Sequence, residues 1–226
     1  MNTPFRICII ALLLPVSALT LTSCKKDTVD PTKGLSTRIQ TIVSQADIDG
    51  LRSRGMIVNE GSQPPNIEGI FSSSPHTLVS PYGPADTYKV GDTFNDLIIR
   101  FTEQNSADQS AKVEIKNAGS TATGVGGFLS GNGNKFSFFA ELDFVSGSVT
   151  GKQVRLFSGE ITADGIKDFY TTIYFKSKND PNNTQIPVGA SRIIKDGNGL
   201  ASKRTTFRIA TVEAGQPTGT ESSMGQ

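Results

Sequence analysis

Few side chains in this sequence are of a kind that carries chemistry, and their spacing gives little support to catalysis. One histidine, His76, follows Pro75 in a stretch rich in proline and glycine. A Ser/His/Asp set would have to be built on it, and no second histidine is present to share a zinc ion. A lone histidine in such a loop reads as a solvated surface residue. Glu141 and Asp143 stand two apart, so one strand face would carry both, as in the carboxylate pair of a glycoside hydrolase. Alternating acids on a strand are more simply the wet face of a sheet. Asp196-Gly197-Asn198-Gly199 is oxygen-rich, yet lacks the twelve-residue calcium-loop pattern with its closing Glu, and reads as a hairpin turn. Tyr170, Thr172 and Tyr174 share a face that could stack on sugar rings or form the outer face of a barrel. Gly124-Val125-Gly126-Gly127 lacks the strand-then-helix context of a phosphate loop. The expectation is a protein that is not an enzyme, with no catalytic residue, no metal and no cofactor.

The cysteines say more. Arg6 is the sole charge before an uncharged, mostly apolar run from Ile7 to Leu21. That is the charge and hydropathy pattern of a secretory signal, and its roughly 15 residues fall short of the ~20 needed to span a bilayer. Leu21-Thr22-Ser23-Cys24 closes the run. This resembles the lipobox of bacterial lipoproteins, which implies cleavage before Cys24 and lipidation of its thiol and new amino group. One acyl chain holds a protein only marginally, at about 0.8 kcal/mol per buried methylene, whereas several on one residue hold it firmly. The expected partner is therefore a membrane, reached through lipid on Cys24. Cys8 leaves with the signal, so the mature domain has no free thiol and no disulfide, and depends on a hydrophobic core.

Removing residues 1–23 takes away Arg6 and no acid, leaving 21 basic against 21 acidic residues. That balance offers no electrostatic footprint for nucleic acid, and Lys203-Arg204 is too short a cluster to change it. About 200 residues suit one domain. Thirteen Phe, no Trp and many Gly and Asn favour strands and turns.

The elements that would position these groups follow from periodicity. The polar segment 24–34 reads as the lipidated cysteine and a flexible tether. Within it, Asp27-Thr28-Val29 resembles the O-glycosylation acceptor of exported Bacteroidota proteins. Residues 35–55 form the helical segment, with Ser36 as a cap, a second start at Ser44 or Asp47, and Gly55 as a stop. Such a piece would pack as a lid or plug on a sheet. A β domain then runs over 56–213 and a polar tail over 214–226. Expected strands include Met56–Val58, Ile67–Phe71 and a short Thr77–Val79 piece inside a long loop, 75–91. The clearest has Phe136, Phe138, Ala140, Leu142 and Phe144 on one face; Ser191–Ile194 and Thr206–Val212 come last. Gly131-Asn132-Gly133-Asn134 and Asp164-Gly165 mark tight turns. Nine or ten strands with short turns predict a mainly β fold, an antiparallel up-and-down barrel with a short N-terminal helix, or alternatively a two-sheet sandwich.

Segments Pro64–Pro75, Gly127–Phe136 and Arg192–Ala201, with the Ser23–Asp27 start, resemble recurring stretches of functionally uncharacterised lipoproteins of Bacteroidota. Ile67–Phe71 is loosely similar to the Gly-x-Trp opening of lipocalin-like barrels, with Phe71 in place of Trp. The resemblance implies a lipid-anchored protein of the cell envelope. Lys25 after the cysteine, with no Asp there, resembles outer-membrane sorting in Gram-negative bacteria, which implies the outer membrane, facing the periplasm or the surface. The functional expectation is a binding or accessory module for a small molecule, glycan or protein. The alternative is a structural subunit of an envelope or surface assembly, docking through residues 36–54 or through an edge strand.

Overall fold

The computed structural model describes residues 34–208. The signal segment, Cys24, Thr28, the tether up to residue 33 and the polar tail lie outside the described residues. The chain is mainly β. Two short helices, α1 (Thr37–Ile42) and α2 (Gln45–Ser53), come first. The strands are β1 (Ser62–Gln63), β2 (Gly69–Ser73), β3 (His76–Ser80), β4 (Thr93–Phe94), β5 (Leu97–Asn105), β6 (Ser110–Asn117), β7 (Ser120–Asn132), β8 (Lys135–Ser146), β9 (Val149–Ile161), β10 (Gly165–Asn179), β11 (Ser191–Asp196) and β12 (Leu200–Arg204). All belong to one mixed sheet, in which β1 pairs parallel with β7 and the other pairs are antiparallel. There is one sheet, not the two of a sandwich.

From β5 to β10 each strand pairs with the next, as tight turns between alternating segments require. Beyond β10 the pairing divides. The edge of β10 opposite β9 takes β12 at Gly165–Lys167 and β11 at Tyr170–Tyr174. β12 then pairs with β2, and β2 with β5, which closes a ring of eight strands. β11 instead carries β3 and β4 as an extension of the sheet. β2 and β3 are therefore two parts of one path interrupted at Ser74-Pro75, and β11 and β12 of another, interrupted at Gly197–Gly199.

A single carboxylate joins the two interruptions. Asp196 is buried and accepts from the backbone N–H of Ser74 (3.0 Å), Asn198 (2.9 Å) and Leu200 (3.0 Å). Asn198 Nδ2 donates to Ser74 O (2.8 Å), and Gly197 N to Pro75 O (2.8 Å). A Cβ at Gly197 would lie 2.6 Å from Thr77 Oγ1 and 2.7 Å from Pro75 Cγ, so the two chains approach this closely only with glycine there.

The inward residues make an aromatic core. Phe101 lies edge-on to Phe138 (5.5 Å between centroids), Phe157 (5.6 Å) and Phe136 (6.4 Å), and Phe71 is tilted against it at 6.3 Å. Edge-to-face contacts of this kind add about 0.5–1.5 kcal/mol each beyond area burial. A second apolar cluster lies on the opposite face of β8, β9 and β11. There Leu35, Ile39, Val43, Ile48 and Leu51 of the helical region cover Phe139, Val154, Leu156 and Ile193. Six and nine residues are too few for a helix to persist alone; this contact, with Ser36 and Ser44 capping the two N-termini, holds α1 and α2 in place. They lie against the outer face, not in the ring.

Several strand expectations need correction. Met56–Val58 is not a strand; Met56 is buried under the helices instead. Ile67–Phe71 becomes Gly69–Ser73, and the piece at 77–79 is a full sheet member. Asp196–Gly199 is not a hairpin turn, because β11 and β12 lie end to end along β10. Of the expected strand Thr206–Val212, residues 206–208 leave the sheet, and Phe207 lies over Arg100 and Lys116 at 4.5 Å from each cation. Such a cation–π contact competes with strand pairing for the segment. Residues 209–212 lie outside the described residues.

Phe101→Ala removes the ring at the centre of this core. The expected cost is about 3–5 kcal/mol of unfolding free energy, read from urea denaturation; a loss under about 1 kcal/mol would show that the aromatic cluster is not the main source of stability.

Candidate functional site

One end of the ring opens into a cavity of about 420 Å³, bounded by β5, β6, β8, β9 and β10 and roofed by the loops 81–92 and 180–190. That volume falls in the range of small-molecule sites. Its walls combine Leu97, Ile115, Phe144, Ile173 and Ile186 with the amides of Asn95, Asn117, Asn183 and Gln185.

Strand alternation sets the floor. On β9, Gln153, Arg155 and Phe157 share the inward face, while Val154 and Leu156 turn outward to the helices. Phe157 joins the aromatic core; the two polar residues above it face the cavity. Arg155 is 5% exposed and Gln153 1%. Arg155 Nε donates to Gln153 Oε1 (3.0 Å) and Nη1 to Thr172 O (2.9 Å). No carboxylate pairs with Arg155 among the described residues, and Nη2 and the Gln153 amide nitrogen have no acceptor there. Burial pushes the Arg155 guanidinium down to about 9, which still leaves it a cation at neutral pH.

The roof is tied down by two carboxylates. Asp86 accepts from Arg192 Nε (2.8 Å) and Nη2 (2.6 Å) and from the N–H of Tyr82 (2.9 Å) and Tyr88 (3.1 Å). Burial alone would raise its pKa, but these hydrogen bonds outweigh it and leave the carboxyl below its ordinary value. Tyr88, Tyr82 and Phe94 surround the Arg192 guanidinium at 4.8, 5.4 and 5.8 Å. Asp180 accepts from Lys178 Nζ (2.7 Å), Thr184 N (2.9 Å) and Gln185 N (2.8 Å), and the lysine above all holds it well below the usual carboxylate range. These contacts shape loops that carry much of the cavity lining.

A second cavity, about 340 Å³, lies between α2 and the outer face of the sheet, lined by Val43, Leu51, Phe139, Val154, Leu156 and Tyr174. It is apolar apart from its rim, where Arg54 donates to Ser191 O (2.9 Å) and Pro81 O (3.3 Å).

The residues singled out from sequence fall elsewhere. His76, expected as a solvated loop residue, is 2% exposed and belongs to β3, with Nδ1 3.1 Å from Ser73 Oγ. Only the start of the expected loop, His76–Ser80, is strand, which is why its histidine is inside; residues 81–92 do form a loop. Glu141 and Asp143 lie on the outer face, paired with Lys176 (2.7 Å) and Lys152 (2.6 Å). The Asp196 oxygens are occupied by backbone donors. Tyr170 and Tyr174 are partly buried on the outer face of the ring, packed against the helix-covered cluster, Thr172 is buried, and Tyr174 lines the second cavity. Among the described residues no three His, Cys, Asp or Glu gather as metal ligands. Cys24 lies outside the described residues. Sequence reasoning missed Arg155 and Gln153: they share a period-two register with Phe157, but apolar Val154 and Leu156 occupy the other face. It also missed the Asp86–Arg192 pair, which spans 106 positions and leaves no local signal.

Comparison with protein-family models, curated proteins and solved structures found no match to this chain.

His76 yields a test of the buried interior. Burial, and then the nearby Arg155 charge, push its pKa from 6.5 down to about 3. The unfolded chain takes up this proton below about pH 6.5 and the folded chain does not, so stability is full above that pH and declines as pH falls towards 3. At about pH 4.5 the loss is on the order of 2–3 kcal/mol. Denaturation of the wild type at pH 7 and 4.5 should show this loss, and His76→Asn, which keeps a polar group near Ser73, should remove most of it. An equal loss in both proteins would place the acid sensitivity elsewhere.

Proposed function

We propose that this chain is a lipid-anchored lipoprotein of the bacterial cell envelope, whose eight-strand ring serves as a small closed barrel binding a small molecule at one mouth. The observation that carries the reading is the 420 Å³ cavity, with walls that mix apolar and amide side chains, a polar floor and a roof held by partly buried ion pairs. Interiors are normally close-packed, and a hollow of this size with a few convergent polar groups is the usual form of a small-molecule site. Here the inward face of β9 changes from Phe157 to Arg155 and Gln153 just where the hollow begins. The aromatic core fills one part of the ring, and the polar residues line the other.

The address rests on residues 1–24. A signal-like segment ending at Leu21-Thr22-Ser23-Cys24 supports lipidation of Cys24 and retention at a membrane of the envelope, and the resemblance to Bacteroidota lipoproteins supports the outer membrane. The geometry supports binding better than chemistry. Arg155 and Arg192 are the charged side chains lining the cavity among the described residues, and neither is a nucleophile or a base at neutral pH. The alternative of a structural subunit docking through residues 36–54 is less well supported, because Ile39, Ile48 and Leu51 are already buried against the sheet.

Two measurements test the two halves of the proposal. Cys24→Ser should abolish incorporation of labelled palmitate and move the protein from the membrane to the soluble fraction; persistent labelling would rule out Cys24 as the acceptor. Native mass spectrometry of the protein extracted from the membranes of its own producing cells should show an adduct of small-molecule mass. Bare chain alone, in repeated mild preparations, would count against a ligand-filled barrel.

A further inference from the structure

We infer that the ligand is a small organic monoanion, a carboxylate above all, whose headgroup sits on Arg155 Nη2 and the Gln153 amide nitrogen. This inference rests on the cavity reading above and adds the ligand's charge and chemical class. Three observations carry it. First, Arg155 is nearly inaccessible to bulk solvent yet has no carboxylate partner among the described residues. A buried cation left unpaired is costly, whereas an anion brought to it gains a charge-assisted hydrogen bond where water competes little. Second, Arg155 is held in place. Its Nε and Nη1 are committed to Gln153 Oε1 and Thr172 O, which leaves one end of the fork for a ligand. Binding there would require little ordering of the side chain.

Third, the charge balance of the cavity selects a single negative charge. No Asp or Glu lines it among the described residues. The other lining arginine, Arg192, is already neutralised by two hydrogen bonds to Asp86. His76, near Arg155, is uncharged in the folded chain at neutral pH. The site therefore presents one net positive charge, and its other polar lining groups are neutral amides and hydroxyls. A carboxylate matches that supply. A phosphate dianion would bring a second charge into the interior without a cation for it. The walls formed by Leu97, Ile115, Phe144 and Ile173 suit a compact hydrocarbon or aromatic body behind the carboxylate.

The test is calorimetric titration of the full chain in detergent with phenylacetate and octanoate, each compared with its neutral amide, and with phenyl phosphate. Each acid should bind at least about tenfold more tightly than its amide, the difference expected for one charge-assisted contact, and phenylacetate more tightly than phenyl phosphate. Arg155→Met should abolish the preference for acid over amide, and Gln153→Leu should reduce it. Amides binding as tightly as the acids would overturn the inference while leaving the cavity reading intact, as would a co-purified molecule that carries no charge. Tighter binding of phenyl phosphate would overturn the preference for a monoanion. Absence of binding by every acid and every amide would overturn both this inference and the cavity reading. The acid-to-amide comparison uses the wild type, so it decides the matter even if Arg155→Met does not fold.

Discussion

The outer edge of β10 is shared by two strands, β12 near its start and β11 further along, and the rest of the architecture follows from that division. A strand edge offers one row of donors and acceptors, and each stretch of it satisfies one partner. Because β12 takes the first part, β2 and β5 can complete the ring; because β11 takes the second, β3 and β4 are carried past it, and the loop between them reaches over the open end. The division needs two neighbouring paths to break at the same level. Asp196 makes that possible by supplying acceptors for three backbone N–H groups that would otherwise lose their partners at the break. A carboxylate receiving several such bonds is a strong local tie, since hydrogen bonds to charged groups contribute about 1.5–3 kcal/mol each. This is a structural task, and it accounts for an oxygen-rich segment that otherwise invites a metal.

The two faces of β8 and β9 show how a ring with a cavity is stabilised without a disulfide in the described residues. Inward, the phenylalanines interlock; outward, Phe139, Val154 and Leu156 are covered by α1 and α2. These central strands are thus buried on both sides over much of their length. The helices add a second cluster to the core of the ring, and so offset a region of the interior that is not filled by side chains. Close packing and hollow are separated in space, with the aromatic layer and the helix-covered face on one side and the polar hollow on the other.

Much of this was legible in the sequence. The inward register of Phe136, Phe138, Ala140, Leu142 and Phe144 follows from alternation, and the caps at Ser36 and Ser44 from residue type and spacing. The site was harder to see. Arg155 lies in the segment Gln153-Val154-Arg155-Leu156-Phe157, where apolar residues occupy both faces, so alternation does not say which face is the interior. Only the helical cover over Val154 and Leu156 resolves it, and that cover comes from residues more than 100 positions earlier. His76 misled for a related reason. Proline and serine around it signal a loop locally, but the segment finds partners at β4 and β11 that no nearby residue announces. Pairings of long sequence separation decide both cases.

Closure also governs how such a chain behaves beside copies of itself. If the chain is tethered by lipid, as proposed, it shares a surface with its neighbours and its local concentration is correspondingly high. Under those conditions an unpaired strand edge is a template for strand exchange and aggregation. Here the path of the sheet ends at β4, only two residues long, while β1 covers the stretch of β7 that β6 does not reach. The eight strands of the ring have partners on both sides. A crowded layer of these molecules would meet mostly side chains and loops, with little exposed backbone to recruit a neighbour.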